Sequence, residues 1–437
     1  MRRLLQVLAA TALMIFAAAP AAPASSGSAQ PYIVVFRATV ADPSLVAGQL
    51  GKALGFTPTF VYRSALKGFA APLPAAALSA IRSDSRVSFV EPDTPMQAAE
   101  CTAPLQSTQC VPNWALRVNA DSSSTRSGDG TGSVNVNVAV IDTGIDFTHP
   151  DLNVAGGVNC TSGKGFGDPN GHGTIVAGII GAKDNSFGVV GTAPGANLYA
   201  VRVLNKQGSG SKSQVLCGVD WVTATRTDAD PGNDIAVANM SLAGTGSDDG
   251  NCGNTKKDVL HQAICASTAA GVTYVVAAGN ASADFQNVAP AAYDEVLTAT
   301  AMCDNDGQPG GLGPATCLSS GQADDAYAFF SNFATLATDQ AHTIDAPGVF
   351  ITSTTTGDTY VAGEAGTSFA SPVVAGTVAL CIASGPCAGL TPAQIVQKIV
   401  NDAAAYNQAN PGYGFTGDPI RPVTGKYFGY LIHTGSY

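Results

Sequence analysis

The chain has 437 residues, only 12% of them charged, and a formal net charge of −11 at pH 7. That length supports a large core. The acidity, without clustered Lys and Arg, excludes a nucleic-acid surface as the main business.

Arg2 and Arg3 precede "LLQVLAATALMIFAAA" and a run of small residues. This reads as a signal peptide over residues 1–24, with cleavage expected after Ala24 or Ala29. The run is short for an anchor and no second run of spanning length is read after it, so export without membrane attachment is expected. Residues 32–93 read as a cysteine-free α+β module, with strands at "YIVVF" and "RVSFVEPD" and helices at "PSLVAGQLGKAL" and "PAAALSAIRS". "TPMQAAE" follows as a polar linker. From about residue 134, strands are predicted at "VNVAVIDTG", "NLYAVRVL", "IAVANMSLA" and "TYVVAAGN". Helices are predicted between them at "GTIVAGIIGA", "SQVLCGVDWVTATR" and "DVLHQAICASTAAG". Such alternation predicts an α/β fold, a parallel sheet covered by helices on both faces, over residues 100–437. Ligands bind such sheets beyond the carboxyl ends of the strands, where Asp142, Ser241 and Asn280 fall. "VVAGTVALCIAS" reads as an apolar helix. A last helix opens at "TPAQIVQKIV", with Thr391 as cap and Pro392 in the first turn.

Ten cysteines, none before residue 101, predict disulfides in an exported chain. Local pairing gives Cys101–Cys110, Cys252–Cys265, Cys303–Cys317 and Cys381–Cys387, which leaves Cys160–Cys217. Spacing alone does not fix this connectivity. Zinc is the alternative, but no CxxC pair supports it.

"GTSFASP" (366–372) places a serine at the mouth of the apolar helix. A serine hydroxyl needs a base to become a nucleophile, and that base is usually a histidine oriented by a carboxylate. The histidines are His149, His172, His261, His342 and His433. His172 stands between two glycines in "DPNGHGTIVAG", and these would let a substrate chain or partner side chain approach. Asp142 ends an apolar strand, where a buried carboxylate needs partners. Taken singly, Asp142 reads as a turn cap, His172 as a packed loop residue and Ser368 as a helix cap.

Together, "VAVIDTGID", "GHGTIVAG" and "GTSFASP" resemble the three catalytic blocks of the subtilisin-like serine peptidases, in the order Asp, His, Ser. The resemblance implies Asp142, His172 and Ser368 as the triad and Asn280 of "AAGN" as an oxyanion donor. It implies a substrate cleft walled by Ser241, Leu242, Ala243 and Gly244 with Ala278 and Gly279. Gly208, Ser209 and Gly210 would form the edge that pairs with an extended peptide. With the pocket floor near "NVAP", uncharged, the preference is expected to be for apolar or aromatic side chains. Residues 30–99 resemble the family's inhibitory propeptide, with a self-made cut expected at Ala99–Glu100. "THPDL" and "KDNSFGVVG" resemble its tight calcium site, with Gln109, Asp151 and Asn185 and the carbonyls of Lys183, Phe187 and Val189 as ligands. Ile175 and Phe369 depart from residues frequent in the family, His and Met. The expected protein is a secreted, monomeric endopeptidase acting on peptides and proteins, with its own propeptide as inhibitor. The alternatives are a catalytically silent binding protein on the same fold and an esterase.

Overall fold

The computed structural model describes residues 29–63, 66–93, 108–313 and 323–437, and the structural statements below concern these. The signal segment, the Ala99–Glu100 junction, Cys101 and Cys317 lie outside them. The chain divides into two compact units, residues 1–96 and 97–437.

The first unit contains β1 (Gln30–Phe36), α1 (Pro43–Leu54), β2 (Phe60–Tyr62), β3 (Gly68–Leu73), α2 (Ala75–Arg82) and β4 (Val87–Pro92). Its sheet has the order β2-β3-β1-β4, with every pairing antiparallel. Helix α1 starts where Asp42 accepts the amides of Ser44 and Leu45 and Pro43 takes the first turn. Val34, Phe36, Leu50, Phe69, Leu73 and Ile81 close a core of the unit's own.

The second unit begins with β5 (Gln109–Cys110), α3 (Asn113–Arg117), β6 (Asn137–Asp142), β7 (Val154–Asn159), α4 (His172–Gly181), β8 (Gly188–Val189) and β9 (Asn197–Arg202). It continues with α5 (Lys212–Thr225), β10 (Val237–Met240), β11 (Gly244–Thr245), α6 (Val259–Ala269), β12 (Thr273–Ala277), β13 (Val288–Ala289) and β14 (Leu297–Cys303). Then follow β15 (Ala326–Tyr327), α7 (Ala337–Gln340), β16 (Thr343–Pro347), β17 (Val349–Thr355), β18 (Thr359–Ala365), α8 (Thr367–Ser384) and α9 (Pro392–Ala409). The main sheet has the order β15-β14-β12-β10-β6-β9-β7, with β16 also paired to β14. Its pairings are parallel except that of β14 with β15.

The two-residue period of a strand divides its side chains between the two helical layers. Val138 and Val140 of β6 join the cluster that contains α4, α8 and α9, whereas Ala139 and Ile141 join α5 and α6. Fully burying one Val or Ile side chain contributes about 1.5–3 kcal/mol, so the strand is held from both faces. Helix α8 corrects one expectation. It is long and apolar enough to cross a membrane, yet 78% of it is buried inside the fold, where it is the central core helix. Helix α9 opens with the predicted cap, Thr391 and Gln394 satisfying each other's backbone amides.

Disulfides join Cys252–Cys265 and Cys381–Cys387, as local pairing predicts, and Cys160–Cys217, the pair that local pairing leaves. Cys110 and Cys303 are also disulfide-bonded. Residues 431–437 are woven into the unit. Leu431 bridges to Asp345, Thr434 donates its amide to the Val118 carbonyl, and the Tyr437 carbonyl accepts the Ser124 amide.

Candidate active site

Strand β6 ends at Asp142, which is completely buried. Helix α4 opens with His172. Gly171 turns the chain into it at a φ of +110°, a region costly for other residues. A Cβ at Gly173 would lie 2.1 Å from the Gly144 carbonyl oxygen. Of the two approaches expected, a substrate chain or a partner side chain, the glycine after His172 admits the second, the Thr143 side chain, together with the Gly144 backbone. Asp142 and His172 are thereby brought together: His172 Nδ1 and Asp142 Oδ1 are 2.8 Å apart. With the carboxylate accepting, the proton sits on Nδ1 and the Nε2 lone pair faces outward. Burial lowers the His172 pKa, but the charge and hydrogen bond of Asp142, with the charges of Asp168 and Glu364, raise it overall.

Asp168 escaped the sequence reading. Its Oδ1 accepts from Thr143 Oγ1 and from the amides of Asn170 and Gly171, each at 2.9 Å. Its Oδ2 accepts the Thr174 amide at 2.9 Å and hydroxyl at 2.7 Å. It caps α4 in place of Gly171, which has no side chain, and ties that helix to the loop after Asp142. The turn signal "DPNG" is the trace it leaves in the sequence.

Ser368 is the second residue of α8, so its amide has no helical acceptor four residues back. Pro372 stands four residues on and has no N–H, which frees the Ser368 carbonyl. Ser241 fills that gap: its hydroxyl donates to the Ser368 carbonyl at 2.6 Å. Ser241 in turn accepts from Asn239 Nδ2 at 2.9 Å, and Asn239 Oδ1 accepts from Ser371 Oγ at 2.7 Å. Ser371, inside the apolar helix, thus anchors a buried polar chain beneath Ser368. The Ser368 hydroxyl itself donates to the Ser241 carbonyl at 3.4 Å. The ring of the next residue, Phe369, lies 5.5 Å from the His172 ring.

Asn280 Oδ1 accepts the Thr367 amide and hydroxyl at 2.9 and 2.8 Å. This orientation turns Nδ2 outward as a donor. A point one bond off the Gly366 Cα lies 3.4 Å from Asn280 Nδ2 and 3.6 Å from the Ser368 amide nitrogen. The two donors therefore flank one space. The turn carrying Asn280 is held by buried Asn332, also missed in the sequence. It donates to the carbonyls of Ala278 and Gly279 and accepts the amides of Ala281 and Ala283.

A cavity of about 510 Å³ opens beside His172 between two loops. Gly208, Ser209 and Gly210 line one side, and Ser241, Leu242, Ala243 and Gly244 the other. Leu204, Val215, Leu260 and Ala289 supply apolar surface, and Ala289 belongs to the expected floor. Ala278 and Gly279 are buried and lie outside this lining.

The residues expected to hold a cation also converge. Asp151 is fully buried, and burial raises its pKa to about 6. Asn185 Nδ2 donates to Asp151 Oδ1 at 2.7 Å and the Val189 amide to Oδ2 at 3.1 Å. Gln109 Nε2 donates to the carbonyls of Lys183 and Val189 at 2.8 and 3.5 Å. Phe187 contributes its amide to Asn185 Oδ1. A half-turn of the two side-chain amides exchanges these N–H groups for oxygens, giving a carboxylate, amide and carbonyl set that fits a hard divalent cation.

Residues 133–416 match the family model described as the subtilase family, and residues 52–99 that of peptidase inhibitor I9. The chain is 36% identical over 282 residues to subtilisin DY of Bacillus licheniformis, covering 64% of this chain and 86% of that protein. It is 36% identical over 324 residues to a thermostable alkaline protease of Halalkalibacterium halodurans, covering 74% and 76%. It is 37% identical over 303 residues to subtilisin Savinase of Lederbergia lenta, covering 69% and 94%. A crystal structure of a cold adapted subtilisin-like serine proteinase aligns at 30% identity and a TM-score of 0.49, covering 69% and 89%. The chain belongs to the subtilase family: it is a subtilisin-like serine protease with an I9 inhibitor region before the protease unit. Members of this family generally hold structural calcium.

Proposed function

We propose that the chain is exported as a zymogen and matures into a secreted, monomeric endopeptidase of broad specificity. Residues 1–24 direct export. Residues 30–99 assist folding and inhibit until the enzyme cuts at Ala99–Glu100. Ser368 Oγ attacks the scissile carbonyl, and His172 Nε2 takes its proton and returns it to the leaving amine. Asp142 fixes the His172 tautomer and stabilises the imidazolium. Asn280 Nδ2 and the Ser368 amide bind the oxyanion, helped by the positive end of α8. The substrate pairs along Gly208–Gly210 and Ser241–Gly244, while Ala278 and Gly279 form the wall that leads to Asn280. The apolar lining at Leu204, Val215 and Leu260 favours apolar or aromatic side chains. Calcium is held by Gln109, Asp151 and Asn185 with the carbonyls of Lys183, Phe187 and Val189, and its role is to neutralise a buried carboxylate and pin the loop.

The observation that carries this reading is the meeting of the buried Asp142–His172 pair with the first turn of α8 and with Asn280. The test is secretion and hydrolysis by the Ser368→Ala chain. The wild type is expected to start near Glu100 and to cleave a peptide substrate. Ser368→Ala is expected to stay uncut at Ala99–Glu100 and to lose that hydrolysis. A variant still processed and active overturns the assignment. A wild type that binds peptide without cleaving it indicates a silent binding protein, and one that cleaves only simple esters an esterase.

A further inference from the structure

The catalytic groups stand at the carboxyl ends of the parallel strands. At the opposite, amino ends of β14 and β16 lies a second cluster that the proposed chemistry does not use. Asp294 precedes β14, and Asp339 of α7 and His342 precede β16. One ligand atom from each lies within 4.8 Å of the others. We propose that Asp294, Asp339 and His342 bind a divalent transition-metal ion of the zinc class.

Acidic residues in proximity are no site by themselves, but here two buried side-chain atoms lack a hydrogen-bond partner among the described residues. The His342 side chain is 3% exposed, and its Nε2 has no hydrogen-bond partner. Asp339 is 2% exposed, and its Oδ2 also has none. A buried polar atom left unpaired costs about 1–3 kcal/mol. Both belong to the one cluster, and Asp294 Oδ1 lies 3.8 Å from His342 Nε2.

The second nitrogen of His342 fixes the chemistry. Thr298 Oγ1 donates its hydrogen to the Ala291 carbonyl at 2.8 Å. Towards His342 Nδ1, 3.4 Å away, it can only accept. Nδ1 therefore carries the ring hydrogen, and Nε2 presents a lone pair to two carboxylates. A lone pair facing carboxylate oxygens is repulsive, and a cation held between them removes that repulsion. An imidazole held through its far nitrogen is also how metal-binding histidines are oriented.

One imidazole nitrogen with two carboxylate oxygens is a donor set for zinc and its neighbours rather than for calcium. Tetrahedral bonds of about 2.1 Å put ligand atoms about 3.4 Å from one another. The present spread of up to 4.8 Å needs a contraction of at most about 1.4 Å. A cavity of about 270 Å³, lined by His342, Asp294, Glu295 and the α9 residues Val396 and Gln397, gives an ion access and leaves room for a bound water. Nearby acids add attraction: Asp248 accepts the Asp294 amide, and Glu295 pairs with His261.

The experiment titrates Co²⁺, then Zn²⁺, into the full chain carrying Ser368→Ala, which prevents self-digestion, with Ca²⁺ in excess to occupy any hard-cation site. One equivalent of Co²⁺ is expected to bind with visible d–d absorption, to be displaced by Zn²⁺ and to raise the melting temperature. His342→Gln is expected to abolish the absorption. Asp294 is 44% exposed, so Asp294→Asn should fold even if the His342 variant does not. It is expected to weaken Co²⁺ binding by roughly a hundredfold, the upper range for losing even an outer-shell partner. Absence of Co²⁺ binding to the parent overturns the proposal, as does binding unchanged in Asp294→Asn.

Discussion

The proton affinity of His172 is a contest between burial, which lowers it, and three carboxylates, Asp142, Asp168 and Glu364, which raise it further. The general base works only when neutral, so activity should rise with pH through a folded-state pKa above the ordinary 6.5. Stability follows the opposite sign: a raised histidine pKa favours the fold below pH 6.5, and this contribution is lost as pH passes the folded value. Glu364→Gln removes one raising charge without touching the Asp142 bond. The acidic limb of its kcat/KM profile is expected to move to lower pH, and an unmoved limb would show that Glu364 does not act on the base. The residues proposed to react stand out in the sequence because the chemistry demands particular side chains in a particular order. Asp168 and Asn332 did not, because most of their bonds go to backbone amides and carbonyls, groups every residue offers. Pro372 was visible, but its meaning required knowing that Ser241 reaches the carbonyl it frees.

Helix α4 depends on a cap that lies outside it. Asp168 accepts five hydrogen bonds that fix the first turn, the preceding loop and Thr143. Asp168→Ala is expected to destabilise the protease unit by about 2–3 kcal/mol, since it removes both a cap and charge-assisted bonds. It should also lower kcat more than it raises KM, because the helix start positions His172. Urea unfolding and steady-state kinetics check this; wild-type stability in the variant would mean the loop holds itself. Strands β6, β9, β10 and β12 were legible as apolar runs ending in turn residues. Strand β14, "LTATAMC", was not: buried on both faces, it shows neither polar alternation nor a long β-branched run. In β16, "TIDAP", an Asp and a Pro mask the strand, while in β3, "GFAAPL", small residues and Pro do so.

The protease unit as a whole should respond to calcium through Asp151, whose buried carboxylate has no cationic partner within bonding distance among the described residues. An ion bound only to the folded state at a hundred times its dissociation constant stabilises by about 2.7 kcal/mol. Chelation is therefore expected to lower the melting temperature, and Asp151→Asn to abolish that sensitivity. Melting that chelator leaves unchanged would remove the site.

The woven segment 431–437 has a consequence in time. It touches Ser124, Val118 and Asp345, and Thr434 meets Thr377 of α8 at 2.8 Å, while Tyr437 reaches Asp402 of α9 at 2.7 Å. Synthesis runs from the amino end, so a growing chain carries Asp142, His172 and Ser368 before it carries these last fastenings. The helix bearing Ser368, the proposed nucleophile, then waits without the contacts of residues 431–437. Nascent chains stalled at residue 430 and fully clear of the ribosome are expected to hydrolyse nothing, while chains stalled well beyond residue 437 cleave. Equal cleavage by both would show that the segment is ornament. On this account, a cell making the enzyme is spared its appetite until residues 431–437 have been made and have docked.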